Sequence, residues 1–131
     1  MIRLLRRTPA QCAGDAAEQA ALHFLEQQGL TLVQRNFRCK LGEIDLIMQE
    51  GSTLVFVEVR FRQHSQFGDG AASVTWRKQQ RLIRAAQYYL QRSRQTERPC
   101  RFDVLSATGT QSTTHQSSIQ FDWIKNAIDS F

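Results

Sequence analysis

The strongest constraint on the fold is a pair of alternating apolar segments separated by two residues that favour a tight turn. The segments Glu43–Glu50 and Thr53–Phe61 flank Gly51-Ser52. Glycine at the first position of a two-residue loop suits a type II′ turn between antiparallel strands. Counting outward from the turn, Glu50 faces Thr53 and Asp45 faces Glu58. The sequence therefore predicts a β-hairpin that brings two carboxylates together.

The two faces of this predicted hairpin differ in chemistry. The apolar face comprises Ile44, Leu46, Met48, Val55, Val57 and Val59. The other face carries Asp45 opposite Glu58, with Glu43 opposite Arg60 as the next pair. Like charges placed directly opposite each other destabilise a sheet. A divalent cation such as Mg²⁺, which is commonly held by one or two carboxylates, would remove this repulsion. A proton shared by the two acids or a salt bridge with Arg60 would also do so.

The remaining patterns predict an α/β domain. Helices are expected over 15–28 and 75–93, with Asp15 as the first N-cap and Gly29 just past the first C-terminus. Strands are expected over 31–37, 101–107 and 119–121, loops over 62–72 and 106–118, and a loosely ordered N-terminal arm over 1–13. The order α-β-β-β-α-β favours one domain spanning residues 1–131, in which helices flank a mixed sheet of four or five strands.

A third acid, Glu18, is expected to point from the first helix toward the sheet. It shares a helical face with Ala21, Leu22 and Leu25, where an unpaired charge is costly. One interpretation is that Glu18 joins Asp45 and Glu58. The other is that it completes a capping box with Asp15 and binds only backbone N–H groups.

The charge balance favours a polyanionic partner. Lys and Arg number 17 against 12 Asp and Glu, and 14 of these cations are Arg, whose planar fork suits phosphate oxygens. The basic face of the second helix comprises Arg77, Lys78, Arg81, Arg84, Tyr88 and Arg92. Because no acid occurs between residues 74 and 96, we expect this face to contact nucleic-acid phosphates. A merely solvated helix surface is the alternative.

The segment after the hairpin and the two tryptophans allow two interpretations each. Arg62, His64, Phe67, Gly68 and Gly70 belong either to a nucleic-acid contact or to a plain connector. His64 would also suit a proton shuttle, although a solvated side chain is the commoner role of a loop histidine. Trp76 and Trp123 are expected at the core or its edge, with base stacking as the alternative.

Cysteine usage and hydropathy predict a cytoplasmic protein without a membrane partner. The three cysteines, Cys12, Cys39 and Cys100, are odd in number and widely spaced, which argues against a disulfide framework and a zinc site. No window approaches the ~20 apolar residues that a membrane-spanning helix requires.

The two strands of the hairpin also resemble a known family. Gly42-Glu-Ile-Asp-Leu-Ile47 followed by Val55-Phe-Val-Glu-Val-Arg-Phe-Arg62 resembles the core of the PD-(D/E)xK, or restriction-endonuclease-like, superfamily. More narrowly, the chain is similar to the YraN-type family of predicted endonucleases and distantly to archaeal Holliday-junction resolvases. The similarity spans 14–104 and includes Glu18, Arg35-Asn36, Phe67-Gly68, Lys78 and Arg101-Phe-Asp-Val104.

The resemblance implies a restriction-endonuclease-like fold and a Mg²⁺- or Mn²⁺-dependent endonuclease that acts on branched or irregular DNA. Asp45, Glu58 and the Val59 carbonyl would hold the metal, and Glu18 would assist them. Arg60 takes the place of the motif's lysine; since arginine keeps its proton, Arg60 would stabilise the phosphate or fix the water and is not a general base. Arg62, Arg77, Lys78, Arg81 and Arg84 are the expected nucleic-acid contacts.

Two other functions are compatible with the sequence. One is a non-catalytic DNA- or RNA-binding module with a degenerate nuclease site. The other is an adaptor that contacts a protein partner through the loop around Phe67. Cutting both strands of a junction would also require a two-fold homodimer, although no segment of the sequence indicates a dimer interface.

Overall fold

The computed structural model describes residues 9–63, 74–110 and 118–128, and it confirms an α/β fold. The elements are α1 (Pro9–Gln27), β1 (Thr31–Cys39), β2 (Gly42–Glu50), β3 (Thr53–Gln63), α2 (Trp76–Arg92), β4 (Cys100–Thr110) and β5 (Ser118–Ile124). The five strands form one sheet in chain order. β3 and β4 are parallel, joined by a crossover that contains α2, and the other neighbours are antiparallel.

Two apolar cores lie on opposite faces of the sheet. Alternation along β2, β3 and β4 divides their side chains between the faces, as a strand period of two requires. The α1 side includes Leu25, Leu46, Met48, Val55, Val57 and Leu105. The α2 side includes Ile47, Leu54, Phe56, Ala86, Phe102 and Val104. Each fully buried aliphatic or aromatic side chain contributes about 1.5–3 kcal/mol, so both helices are held firmly against the sheet.

The hairpin register next to the turn is confirmed. Glu50 pairs with Thr53 and Leu46 pairs with Val57. Gly51 has φ of +59°, the positive value that the first position of a type II′ turn requires and that glycine adopts without strain. Turn chemistry alone therefore sets which residues of β2 and β3 face each other near the turn.

The first helix begins earlier than predicted. It starts at Pro9, because the fixed φ of proline and its missing N–H suit the first position of a helix. Asp15 consequently lies inside α1, and its predicted role as the N-cap is wrong. The C-terminus is as predicted: Gly29 has φ of +98°, and Leu30 N–H donates to Leu25 O at 3.1 Å, a Schellman cap.

The predicted boundaries of two loops are also wrong. β3 continues to Gln63, and β4 continues to Thr110 before β5 begins at Ser118. Ser106 and Ala107 are buried and pair with Asp122 and Phe121. Small and β-branched side chains fit a paired strand, so a Ser- and Thr-rich composition does not by itself indicate a loop. Residues 1–8, 64–73, 111–117 and 129–131 lie outside the described part of the chain.

An irregularity interrupts β2 at Asp45. Ile44 packs in the α2-side core and Leu46 in the α1-side core, so the expected alternation fails between them and Ile44 leaves the predicted apolar face. On the β1 side, Asn36 stands opposite Asp45 with φ of +51°. Within the described sheet the β2–β3 ladder ends at Leu46 and Val57. The residue pairs predicted beyond that point, Asp45 with Glu58 and Glu43 with Arg60, are therefore not part of the backbone ladder.

Neither helix, over the residues that the structure describes, is long and apolar enough to cross a membrane.

Candidate active site

The centre of the candidate site is the carboxylate pair, defined here as Asp45 and Glu58. At the point where the backbone ladder ends, Asp45 Oδ2 accepts a hydrogen bond from the Val59 N–H at 2.8 Å. The two carboxyl groups are also in hydrogen-bond contact with each other. The Asp45 carboxylate thus takes the place of a β2 backbone carbonyl as the acceptor for a β3 N–H group. This side-chain hydrogen bond brings the two acids together at the place where the strands separate.

Electrostatics at the carboxylate pair oppose ionisation of Asp45. Burial raises the pKa of Asp45 from its ordinary value of 3.8 to about 7, and the negative charges of Glu58 and Glu18 add to the increase. The opposing effect comes from the Val59 N–H, which lowers the pKa. Among the described residues, no cation lowers the pKa of Asp45. Below neutral pH, a proton on Asp45 relieves the repulsion between the two acids. Above neutral pH, a cation is required to relieve it.

Lys78 lies beside the other member of the pair. Its Nζ is 3.4 Å from Glu58 Oε1, and the Glu58 side chain is only 13% exposed. Thr75 caps α2 by accepting a hydrogen bond from Lys78 N at 3.2 Å, which places Lys78 in the first turn of the helix. The sequence assigns Lys78 to a nucleic-acid surface, and the structure places it at the acids.

Close packing fixes α2 at this position. A side chain at Gly42 would collide with the backbone of Arg81. The helix therefore lies directly on the start of β2, one turn beyond Lys78. Because only glycine permits this approach, the first residue of the Gly42–Ile47 motif determines where the N-terminal turn of α2 meets the sheet.

Glu18 approaches the carboxylate pair without joining it. Its side chain is 15% exposed and lies 3.5 Å from the Arg35 guanidinium, and its charge contributes to the raised pKa of Asp45. Among the described residues, no group of three or more His, Cys, Asp or Glu side chains converges closely enough to hold a metal ion. The capping-box interpretation is wrong, because Asp15 lies inside α1.

The predicted partners of Arg60 are not found in contact with it. Within the described chain, Arg60 makes no ion pair, and Glu43 pairs instead with Arg38 at 3.5 Å. The salt bridge expected as an alternative between Arg60 and the carboxylate pair is thus not formed among the described residues. Lys78 supplies the positive charge next to Glu58.

The basic face of α2 is exposed as predicted from its sequence. Arg77, Arg81 and Arg84 all lie on the solvent side of the helix. Their spacing of four and three residues places them on one side. Arg62 belongs to β3, but its side chain lies outside the described residues, as do His64, Phe67, Gly68 and Gly70.

The two tryptophans differ in how far they are buried. Trp123 lies at the core edge, as predicted, and its indole N–H donates to Asp103 at 3.0 Å. Trp76 is 73% exposed, so its predicted core position is wrong. The buried face of α2 is formed by Leu82, Ala85, Ala86, Tyr89 and Leu90. Trp76, as the first residue of the helix, lies outside this face.

Sequence reasoning missed a buried polar cluster around Asp103. This fully buried carboxylate accepts hydrogen bonds from Arg101 Nε at 3.1 Å, Trp123 Nε1 at 3.0 Å and Asn126 N at 2.9 Å. Arg101 also contacts Glu50 at 2.9 Å. Apart from Arg101, two residues earlier on β4, the partners of Asp103 come from β5 and the turn that follows it, and no local pattern identifies these. Its satisfied hydrogen bonds indicate a structural role.

Comparisons with known proteins agree over most of the chain. Residues 17–107 match the family model described as "Uncharacterised protein family UPF0102". A UPF0102 protein from Janthinobacterium sp. is 54% identical over 94% of this chain and 92% of its own length. One from Pseudomonas syringae pv. tomato is 47% identical over 97% of this chain and 100% of its own length. The matched segment contains both members of the carboxylate pair, Glu18 and the whole of α2, and the chain belongs to the UPF0102 family.

Proposed function

We propose that the protein is a Mg²⁺- or Mn²⁺-dependent endonuclease that hydrolyses phosphodiester bonds in branched or irregular DNA. The observation that carries this proposal is the carboxylate pair itself: two partly buried acids in contact, with no cation among the described residues acting on Asp45. A structural ion pair would place a positive group against both acids, whereas Lys78 contacts Glu58 alone. A site that binds a divalent metal leaves the position free for it.

The donor atoms at the pair fit such a metal. In a strand, the N–H and C=O of one residue point to the same side. Since the Val59 N–H reaches Asp45 on β2, the Val59 carbonyl also faces β2, beyond the last backbone pair. Two carboxylates and one carbonyl supply oxygen ligands alone, and Mg²⁺ commonly completes its shell with water and substrate phosphate.

The chain's own residues then have separate roles in hydrolysis. Asp45 and Glu58 hold the metal, which when bound stabilises the negative charge that develops on the phosphate. Lys78 places a second positive charge at the same point through its contact with Glu58. Arg60, which is always protonated, contributes charge toward the phosphate from the same strand and removes no proton. Glu18 remains paired to Arg35 and keeps a negative potential around Asp45.

The basic face of α2 accounts for substrate binding. Arg77, Arg81 and Arg84 continue from the turn that carries Lys78, so a phosphate backbone lying along α2 would lead to the carboxylate pair. Each neutralised phosphate releases counterions, so affinity would fall steeply with salt. A two-fold homodimer would be required only if both strands of a junction are cut.

The test is cleavage of flap, junction and linear DNA by purified protein in Mg²⁺ or Mn²⁺. We expect cutting that is abolished by chelator and by Glu58→Gln, but retained in Glu43→Gln, which removes an exposed acid from the same sheet. Cutting that survives Glu58→Gln would show that the site is elsewhere. DNA binding without cleavage on any substrate would favour the non-catalytic module.

A further inference from the structure

Trp76 is the largest apolar side chain exposed on the described surface. Its side chain is 73% exposed, compared with 47% for Leu41 and 37% for Tyr88. Most of the large apolar side chains that the structure describes are buried between the sheet and its helices. An indole held in water on a rigid helix is therefore available to a partner.

Trp76 lies in the first turn of α2, next to the basic face of that helix. It is the first residue of α2 and lies two residues before Lys78, whose Nζ contacts Glu58. At about 100° per residue, two positions this far apart lie on nearly opposite sides of the helix, so Trp76 does not face Lys78. Arg77, the next residue, begins the row of exposed arginines on α2. The indole thus lies at the N-terminal end of the basic face.

Stacking on the indole ring favours an unpaired nucleotide. An aromatic ring stacks on any nucleobase, because every base has a π-face. In continuous duplex DNA these faces are already covered by neighbouring bases. A base is open to the ring only where the strand is single or unpaired.

We propose that Trp76 stacks on an unpaired nucleobase of DNA bound along the basic face of α2, so that the protein binds DNA with a single-stranded segment in preference to continuous duplex. The choice of DNA as the partner rests on the proposed function. The stacking contact itself requires neither metal nor cleavage.

The test is a fluorescence titration in chelator, where no cleavage occurs. The full chain is titrated with a single-stranded DNA oligonucleotide and with a duplex of the same sequence. Single-stranded DNA is expected to quench indole emission in the wild type, and Trp76→Ala is expected to remove this quenching and weaken single-strand binding by about 10-fold. Duplex affinity is expected to change less than about 2-fold, and Trp76→Phe to restore most of the single-strand affinity.

Leu32→Ala provides the matched control, since it truncates another exposed apolar residue, on β1 at the end of the sheet near the hairpin turn. It is expected to leave both affinities unchanged. Equal weakening of single-strand and duplex binding by Trp76→Ala, or unquenched emission in the wild type, would overturn the stacking proposal. If stacking is observed but no substrate is cut, the nuclease proposal fails and the stacking proposal stands. If DNA is cut but Trp76→Ala leaves strand preference unchanged, the stacking proposal fails and the nuclease proposal stands.

Discussion

Replacing Asp45 by Asn should make the metal-free protein more stable at alkaline pH. The carboxylate is held beside Glu58 in a partly buried position, with a single N–H donor from Val59. Asparagine keeps an oxygen that can accept this hydrogen bond and has nearly the same size, but it carries no charge. The substitution therefore isolates the free-energy cost of the negative charge at this position.

The expected magnitude follows from the pKa of Asp45. The pKa rises from 3.8 in the unfolded chain to about 7 in the folded protein, and at 1.36 kcal/mol per pKa unit this difference corresponds to about 4 kcal/mol. The folded state binds the proton more tightly than the unfolded state. Stability of the wild type consequently falls as pH rises from about 4 to about 7, and the full cost is present above pH 7.

Urea unfolding followed by circular dichroism provides the assay, at about pH 5 and about pH 8 with and without Mg²⁺. In chelator, the free energy of unfolding of Asp45→Asn should exceed that of the wild type by several kcal/mol at the higher pH. At the lower pH the difference should be about 1–2 kcal/mol. Mg²⁺ should stabilise the wild type and leave the variant unchanged. Glu43→Gln, the exposed control, should show neither effect. A variant less stable than the wild type at the higher pH would refute this account of the pair.

Three further substitutions test the surroundings of the carboxylate pair. Lys78→Met should lower the cleavage rate more than Arg60→Met, as measured under single-turnover conditions, because Lys78 contacts Glu58; the opposite order would assign the motif lysine's role to Arg60. Gly42→Ala should lower the free energy of unfolding by about 1–3 kcal/mol in urea, and an unchanged value would show that α2 does not pack as closely as described. Asp103→Ala should lower it by about 3 kcal/mol, since it leaves buried donors without an acceptor, yet leave the cleavage rate of the folded fraction unchanged.

Local signals predicted the hairpin well. The Gly51-Ser52 turn and the alternation on either side of it determine the register as far as Leu46 and Val57. The end of the ladder could not be predicted, because it depends on a side chain of β2 replacing a backbone acceptor of the same strand. The sequence therefore indicates that the acids meet but not how.

Contacts between distant segments account for most of the errors. The proximity of Lys78 and Glu58 depends on how closely α2 packs on Gly42, which no periodicity encodes. We expected Trp76 at the core or its edge, whereas tertiary packing buries Leu82 and Ala85 and leaves Trp76 exposed. Asp103 escaped detection for the same reason, because its hydrogen-bond donors come from β5 and the turn that follows it.

The parallel pairing of β3 with β4 bears on the order in which the molecule assembles. The two acids belong to strands joined by a tight turn, and a hairpin of this kind closes within microseconds. The crossover through α2 must close a much longer loop before β4 can join, and non-local pairing of this type is slow. We therefore expect the acids to meet early while still hydrated, and Asp45 to take up its proton only when the helices close over the sheet.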